Sequence, residues 1–255
     1  LLRLVRCEFQ KLKRRKFVAL SMVVASLLPI PLLLLVIRQE QPFNMLFRMV
    51  FIYGEMLLLP CVLGVLATMI FLPETEHDVL KNMLTVPVGK TRIFISKCIA
   101  LMILSIIYCL LELSISIIAS YVVGGAVQQV ASYLCFSILS GMFMFAASLP
   151  VIVFVAAFGR NFTISNIVSF MYNVICFALV YLCMGYGGEA LLKTSIAVLP
   201  VVTVFRWYLG YFPVGSHLQV YMPYAISTAG IVIYMVAFSL IMLVSGAIMY
   251  RKKEV

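Results

Sequence analysis

Apolar residues in this chain run in long unbroken stretches, not in the short alternations of a soluble domain. Six stretches stand out: residues 17–37, 49–72, 98–123, 133–158, 162–184 and 224–249. A helix needs roughly 20 apolar residues to cross a bilayer, at about 1.5 Å rise per residue. Each stretch meets that length, and a helix satisfies its own backbone amides in lipid. The pattern predicts an all-α membrane protein, with one domain of six transmembrane helices over residues 17–255.

The segments around the spans carry patterns of their own. Ahead of the first span, Val5, Phe9 and Leu12 recur at helical spacing, with Arg and Lys on the other faces. That predicts an N-terminal amphipathic interfacial helix within residues 1–16, lying on the cytoplasmic membrane surface. Pro29 and Pro31 predict a kink or an end in the outer half of span 1, and Pro60 a bend inside span 2. Residues 73–97 form the longest cytoplasmic loop, acidic at its start (Glu74, Glu76, Asp78) and basic at its end (Lys90, Arg92, Lys97). Within it, Val79, Leu80, Met83 and Leu84 place one apolar stripe on a short helix over 78–85, with Asp78 as cap and Pro87 as stop. Residues 185–223 are rich in aromatics, Trp207, Tyr208 and Tyr211 among them. The apolar run 196–205, broken by Pro200, is too short for a seventh span. A pair of re-entrant or interfacial outer helices between spans 5 and 6 is expected, with Tyr and Trp at headgroup level. Small residues such as Ser137 and Gly141 mark a seam where helices can approach closely.

Composition narrows the class. The chain is 64% hydrophobic and 11% charged, which leaves no room for a sizeable extramembrane domain. A net charge of +10 would suit nucleic acid, but its placement argues for a membrane. With the N-terminus inside, fifteen Lys and Arg residues fall in cytoplasmic segments and four (Arg38, Arg48, Lys193, Arg206) outside. That asymmetry puts both termini in the cytoplasm and leaves no nucleic-acid partner. The seven cysteines form no CxxC pair and no metal-ligand spacing, so they read as packing residues. The first span is too long and too far from the N-terminus for a cleavable leader, so none is expected.

Few residues carry chemistry. Gly89-Lys90-Thr91 matches the tail of a nucleotide-binding P-loop, but Leu84 stands where the pattern requires its first glycine. His77 and His217 are isolated. No catalytic residue, metal or cofactor is therefore expected on this chain. Glu55 and Glu112 are the acidic residues inside the spans, at similar expected depth, roughly 10 Å below the outer boundary. Three roles fit them: lining a translocation path, proton coupling, or a structural hydrogen bond or ion pair with Arg48 or Arg38. A stand-alone secondary transporter or channel using Glu55 and Glu112 is the second functional class. It calls for polar residues or broken helices near the midplane, for which Asn173 and Pro60 are the candidates.

The order of elements resembles that of the type-2 ABC exporter permeases. The loop segment 74–87, ETEHDVLKNMLTVP, is similar to the family's Leu-Lys-x-Leu-Leu, Pro and later Lys through Leu80, Lys81, Met83, Leu84, Pro87 and Lys97. Asp78-Val79 replaces the usual Gly-Thr, and Gly89-Lys90 the usual Ser-Arg. The resemblance implies that the loop helix docks on a separate soluble ATPase through Glu76, Asp78, Leu80, Lys81, Met83 and Leu84. It further implies two ATPase copies carrying ATP and Mg, and a second permease copy or a homologous permease. The opening Glu8-Phe9-Gln10-Lys11-Leu12-Lys13-Arg14 is similar to permeases of bacterial lantibiotic-immunity and bacitracin-resistance exporters. That implies a multi-pass protein of the bacterial plasma membrane, exporting an amphipathic peptide or lipid-like substrate. Trp207, Tyr208 and Tyr211 would then form an outer gate or interface.

Overall fold

The computed structural model of the chain describes residues 2–37, 42–72, 89–124, 127, 129–159, 161–185, 188–212 and 216–252. Among these residues there is no strand. Six helices are long and apolar enough to cross a membrane: Lys16–Val36, Phe43–Phe71, Lys90–Val122, Val130–Phe158, Phe162–Met184 and Thr228–Lys252, called spans 1 to 6 below. They match the six apolar stretches in order. Span 2 begins at Phe43 rather than at residue 49, so Arg48 lies on a helix and not in a loop. Span 3 begins at Lys90, which draws Lys97 two turns inside the helix.

Span 4 is the axis of the bundle. In its most apolar stretch 72% of the residues are buried, against 25%, 22% and 17% for spans 1, 5 and 6. It packs against spans 2, 3 and 6. The peripheral spans turn large apolar residues outward, with Leu34 and Ile233 about 70% exposed. An exterior more apolar than a soluble protein tolerates is what a lipid solvent demands. Spans 3 and 4 meet at Gly141, where a Cβ would come 2.8 Å from the Ile106 Cα. Ser105 on span 3 donates to the Gly141 carbonyl at 2.7 Å. The small-residue seam expected around Ser137 and Gly141 is thus a backbone-to-backbone approach that a side chain at 141 would prevent.

Prolines shape three spans. Span 1 is two helical pieces, Lys16–Leu27 and Pro29–Val36, broken at Leu28. Span 4 continues through Pro150, and the Tyr172 hydroxyl of span 5 donates to the Ala147 carbonyl in that turn at 3.1 Å. Bonds of this kind from neighbouring helices are common around prolines inside membrane helices. In span 2 the helix widens to a π turn over Phe51–Leu58. There the Leu59 N–H bonds back five residues to the Gly54 carbonyl. Pro60 follows at once; it has no N–H to offer and its ring opposes the carbonyl four residues back, so the ladder changes register before it.

Two smaller units pack on the spans. The N-terminal helix Leu2–Lys13 buries Val5, Glu8 and Leu12 and leaves Arg3, Arg6 and Lys13 exposed. It lies against span 3, with Glu8 bridged to Lys11 at 2.7 Å. Between spans 5 and 6 runs a broken helical hairpin whose main helix is Pro200–Tyr211. Arg206 staples it: Nε donates to the Tyr224 carbonyl at 2.8 Å and Nη1 to the Ala197 carbonyl at 3.1 Å.

Candidate functional site

The bundle has two ends. One, the terminal end, carries the N-terminal helix and the end of span 6; the other, the aromatic end, carries the hairpin and the rings packed on it. Two groups of expected site residues fall at mid-bundle and at the aromatic end.

Glu76, Asp78, Leu80, Lys81, Met83 and Leu84 lie in 73–88, outside the described residues. The helices on either side of that segment are described, and a buried lysine joins them. Lys97 is fully enclosed, and its Nζ donates to the Ile70 carbonyl at 2.9 Å. Ile70 sits in the last turn of span 2, where carbonyls lack helical partners and a cation is favoured by the helix dipole. The ammonium also lies 4.8 Å from the centre of the Phe71 ring, a cation–π contact. Phe71, Phe94 and Tyr250 pack ring to ring, at 5.7–5.8 Å between centroids, and bring spans 2, 3 and 6 together there. Lys97 was counted above as a loop residue; it is a bolt between two spans. The legible signal was its position within reach of the apolar run that begins at Cys98.

At mid-bundle, Glu55 and Glu112 come together. Glu55 sits on the π turn of span 2, and the Glu112 carboxyl lies against Gly54, one residue before it. A Cβ at Gly54 would collide with Glu112 Oε1 and stand 2.7 Å from Oε2. The Ser140 hydroxyl of span 4 and the Cys109 thiol of span 3 lie beside Glu55, Ser140 itself donating to the Ser137 carbonyl at 3.2 Å, and Glu55 and Glu112 lie within electrostatic reach of each other. Glu55 is 1% exposed and Glu112 not at all. Even so, Glu55 Oε2 and both Glu112 oxygens have no hydrogen-bond partner. Neither carboxyl is paired with Arg48, whose Nη2 turns to the Met45 sulfur at 3.1 Å. Arg48 acts instead on Tyr208, where burial pushes the phenol above its ordinary value and the guanidinium pulls it back by less. Arg38, the other expected partner, lies outside the described residues. Measured along the helices, the carboxyls stand about 15–18 Å from the aromatic ends of spans 2 and 3. Ser140 and Cys109 were not singled out from sequence. Cys109 and Glu112 stand three apart on span 3, and Ser137 and Ser140 three apart on span 4. Helical spacing therefore held the signal for each face, but not for their meeting.

At the aromatic end, Trp207 and Tyr208 are buried and Tyr211 is half-buried. Trp207 stacks on Phe136 of span 4 at 4.5 Å and donates through Nε1 to Thr228 at 3.2 Å. Tyr208 stacks on Phe51 of span 2 at 4.6 Å, and Phe212 on Tyr133 at the same separation. Tyr211 packs against Phe136 at 5.2 Å, and its hydroxyl donates to the Ser132 carbonyl at 3.4 Å. Each such ring pair adds about 0.5–1.5 kcal/mol beyond its burial. The hairpin is thereby fastened onto spans 2 and 4. Phe51 stands one turn from Glu55, so this aromatic layer closes the bundle directly beside the carboxyls.

A six-span helical bundle whose loop between spans 2 and 3 is tied at its root has a counterpart among known families. A family model described as ABC-2 family transporter protein matches residues 4–176, well over half of the chain. The chain belongs to the ABC-2 transporter family. It is therefore the permease component of an ABC transporter, and the stand-alone secondary transporter is set aside. The matched region of the permease runs from the N-terminal helix into span 5. It includes Lys97, both carboxyls and the segment 73–88; the hairpin and span 6 lie beyond it. Among curated proteins, none matches the chain.

Proposed function

We propose that this permease is the membrane half of an exporter that moves an amphipathic molecule, an antimicrobial or other small peptide, out of the bacterial membrane. Export of that kind confers resistance or immunity on the cell. The terminal end faces the cytoplasm, in keeping with the excess of Lys and Arg there. ATP and Mg bind a separate soluble ATPase, two copies of which serve two permeases, this chain with a second copy or a homologue. The observation that carries the reading is the Lys97 bolt. It holds the last turn of span 2 against span 3 at the root of the segment 73–88, so a push on that segment reaches both spans at that end while leaving them free to part at mid-bundle. Glu76, Asp78, Leu80, Lys81, Met83 and Leu84 form the contact with the ATPase, apolar residues anchoring and charges setting register. The aromatic layer of Trp207, Tyr208 and Tyr211 is the outer gate. Glu55 and Glu112 line the path beneath it.

The direct test is purification of the permease with the ATP-binding subunit it recruits. Leu84→Asp puts a charge in the apolar stripe and is expected to cut recovery of that subunit about tenfold or more, with permease yield unchanged. Equal recovery with both forms removes the docking role. Movement of cargo by the permease alone, without nucleotide, removes the ATP-driven reading altogether.

A further inference from the structure

Polar side chains from three spans converge at mid-bundle, and among the described residues no positive charge joins them. Glu55 comes from span 2, Cys109 and Glu112 from span 3, Ser137 and Ser140 from span 4. Four of their oxygens have no hydrogen-bond partner: Glu55 Oε2, both Glu112 oxygens and Ser137 Oγ. Both carboxyls are enclosed on all sides. A carboxyl left unmet in a dry interior is costly, and inside a membrane such a group is retained for function more often than for packing. What completes the set is a cation bearing several N–H donors, an ammonium or a guanidinium. A metal ion fits less well: among the described residues no three His, Cys, Asp or Glu side chains are grouped to hold one.

The way in is also built. Glu55 rides on the π turn Phe51–Leu58, the kind of segment that shifts register at functional sites. The bare Gly54 backbone is what covers the Glu112 carboxyl. Span 2 moving off span 3 would therefore uncover both carboxyls together. We infer that Glu55 and Glu112 form an occluded site for the cationic nitrogen of an amphipathic cargo, exposed when span 2 separates from span 3. This deepens the export reading by naming the charge its substrate carries.

The test uses the full-length permease in phosphatidylcholine vesicles, which carry no net charge, and two probes. One is a short dansyl-labelled amphipathic peptide with two lysines, the other the same peptide with norleucine in their place. The wild-type permease is expected to bind the lysine peptide about tenfold tighter than the norleucine peptide. Glu112→Gln or Glu55→Gln should bring the two affinities together while leaving the norleucine value unchanged. Equal wild-type affinities overturn the inference, and that comparison needs no variant to fold. So does a preference that survives both substitutions, or a parallel weakening of both peptides in the variants. ATP-driven transport by the permease with its ATPase separates the two readings. If the norleucine peptide is carried while no preference for lysine exists, export stands and the cation site fails. If neither peptide is carried, it is the export reading that fails.

Discussion

Lys97 and Glu112 lie on the same helix, about 22 Å apart along its axis, and both are completely buried. The protein treats them in opposite ways. Around Lys97 every requirement of a buried cation is met: a carbonyl at a helix end, 2.9 Å away, and the face of an aromatic ring. Around Glu112 nothing is met, and its carboxyl rests against a glycine backbone with neither oxygen bonded. Burial alone does not separate a structural charge from a site. Satisfaction of the group does, because an unmet acceptor destabilises the resting state and is relieved only when something else arrives. The terminal end is therefore a joint that transmits, and the mid-bundle cluster a site that waits.

Reversing the charge of the joint should show the largest effect. Lys97→Glu sets a carboxylate against the Ile70 carbonyl and the Phe71 ring face, and is expected to cost about 3–5 kcal/mol. Unfolding of the detergent-solubilised permease, followed by denaturant titration, measures it. A cost near zero would mean that the two regions do not differ as described. A middle-sized effect is expected at the seam that carries the carboxyl-bearing face of span 3 against span 4. Gly141→Val drives side-chain atoms into the Ile106 backbone and should cost about 1–3 kcal/mol. Ser114→Ala, on an exposed face of span 3, provides the matched control. The smallest effect on stability is expected at the cluster itself. Glu112→Gln breaks no bond seen in the structure, so stability should fall by less than about 1 kcal/mol, or rise. Its effect belongs to transport. A large loss of folded Glu112→Gln protein, with normal transport by what remains, would place Glu112 beside Lys97 as a structural group.

Much of the architecture was legible in the chain because lipid imposes a length on every span. Six apolar runs became six spans, Pro29 broke the first, and Gly141 marked a close approach. In the loop 73–88 the apolar stripe was legible from its own spacing, and the docking role only through resemblance. The bolt at Lys97 was not read, because a lysine at the edge of an apolar run looks like a flank until its helix is seen to start a full two turns earlier. The aromatic segment was legible as broken helices between spans 5 and 6, but not the packing of Trp207 and Tyr208 against Phe136 and Phe51.

By itself the sequence determined that this chain spans a membrane six times as helices, since an apolar run of given length has one low-energy solution in hydrocarbon. It determined the sidedness to be expected from its Lys and Arg residues, and, through its loop, the family to look for. The tertiary structure decided which faces meet. Glu55 and Glu112 are distant in the chain, and nothing in the period of either helix states that the π turn of span 2 lays Gly54 on the Glu112 carboxyl. Periodicity encodes the face a residue occupies; the partner on that face is set by how six helices pack around span 4, a choice made by the whole bundle at once.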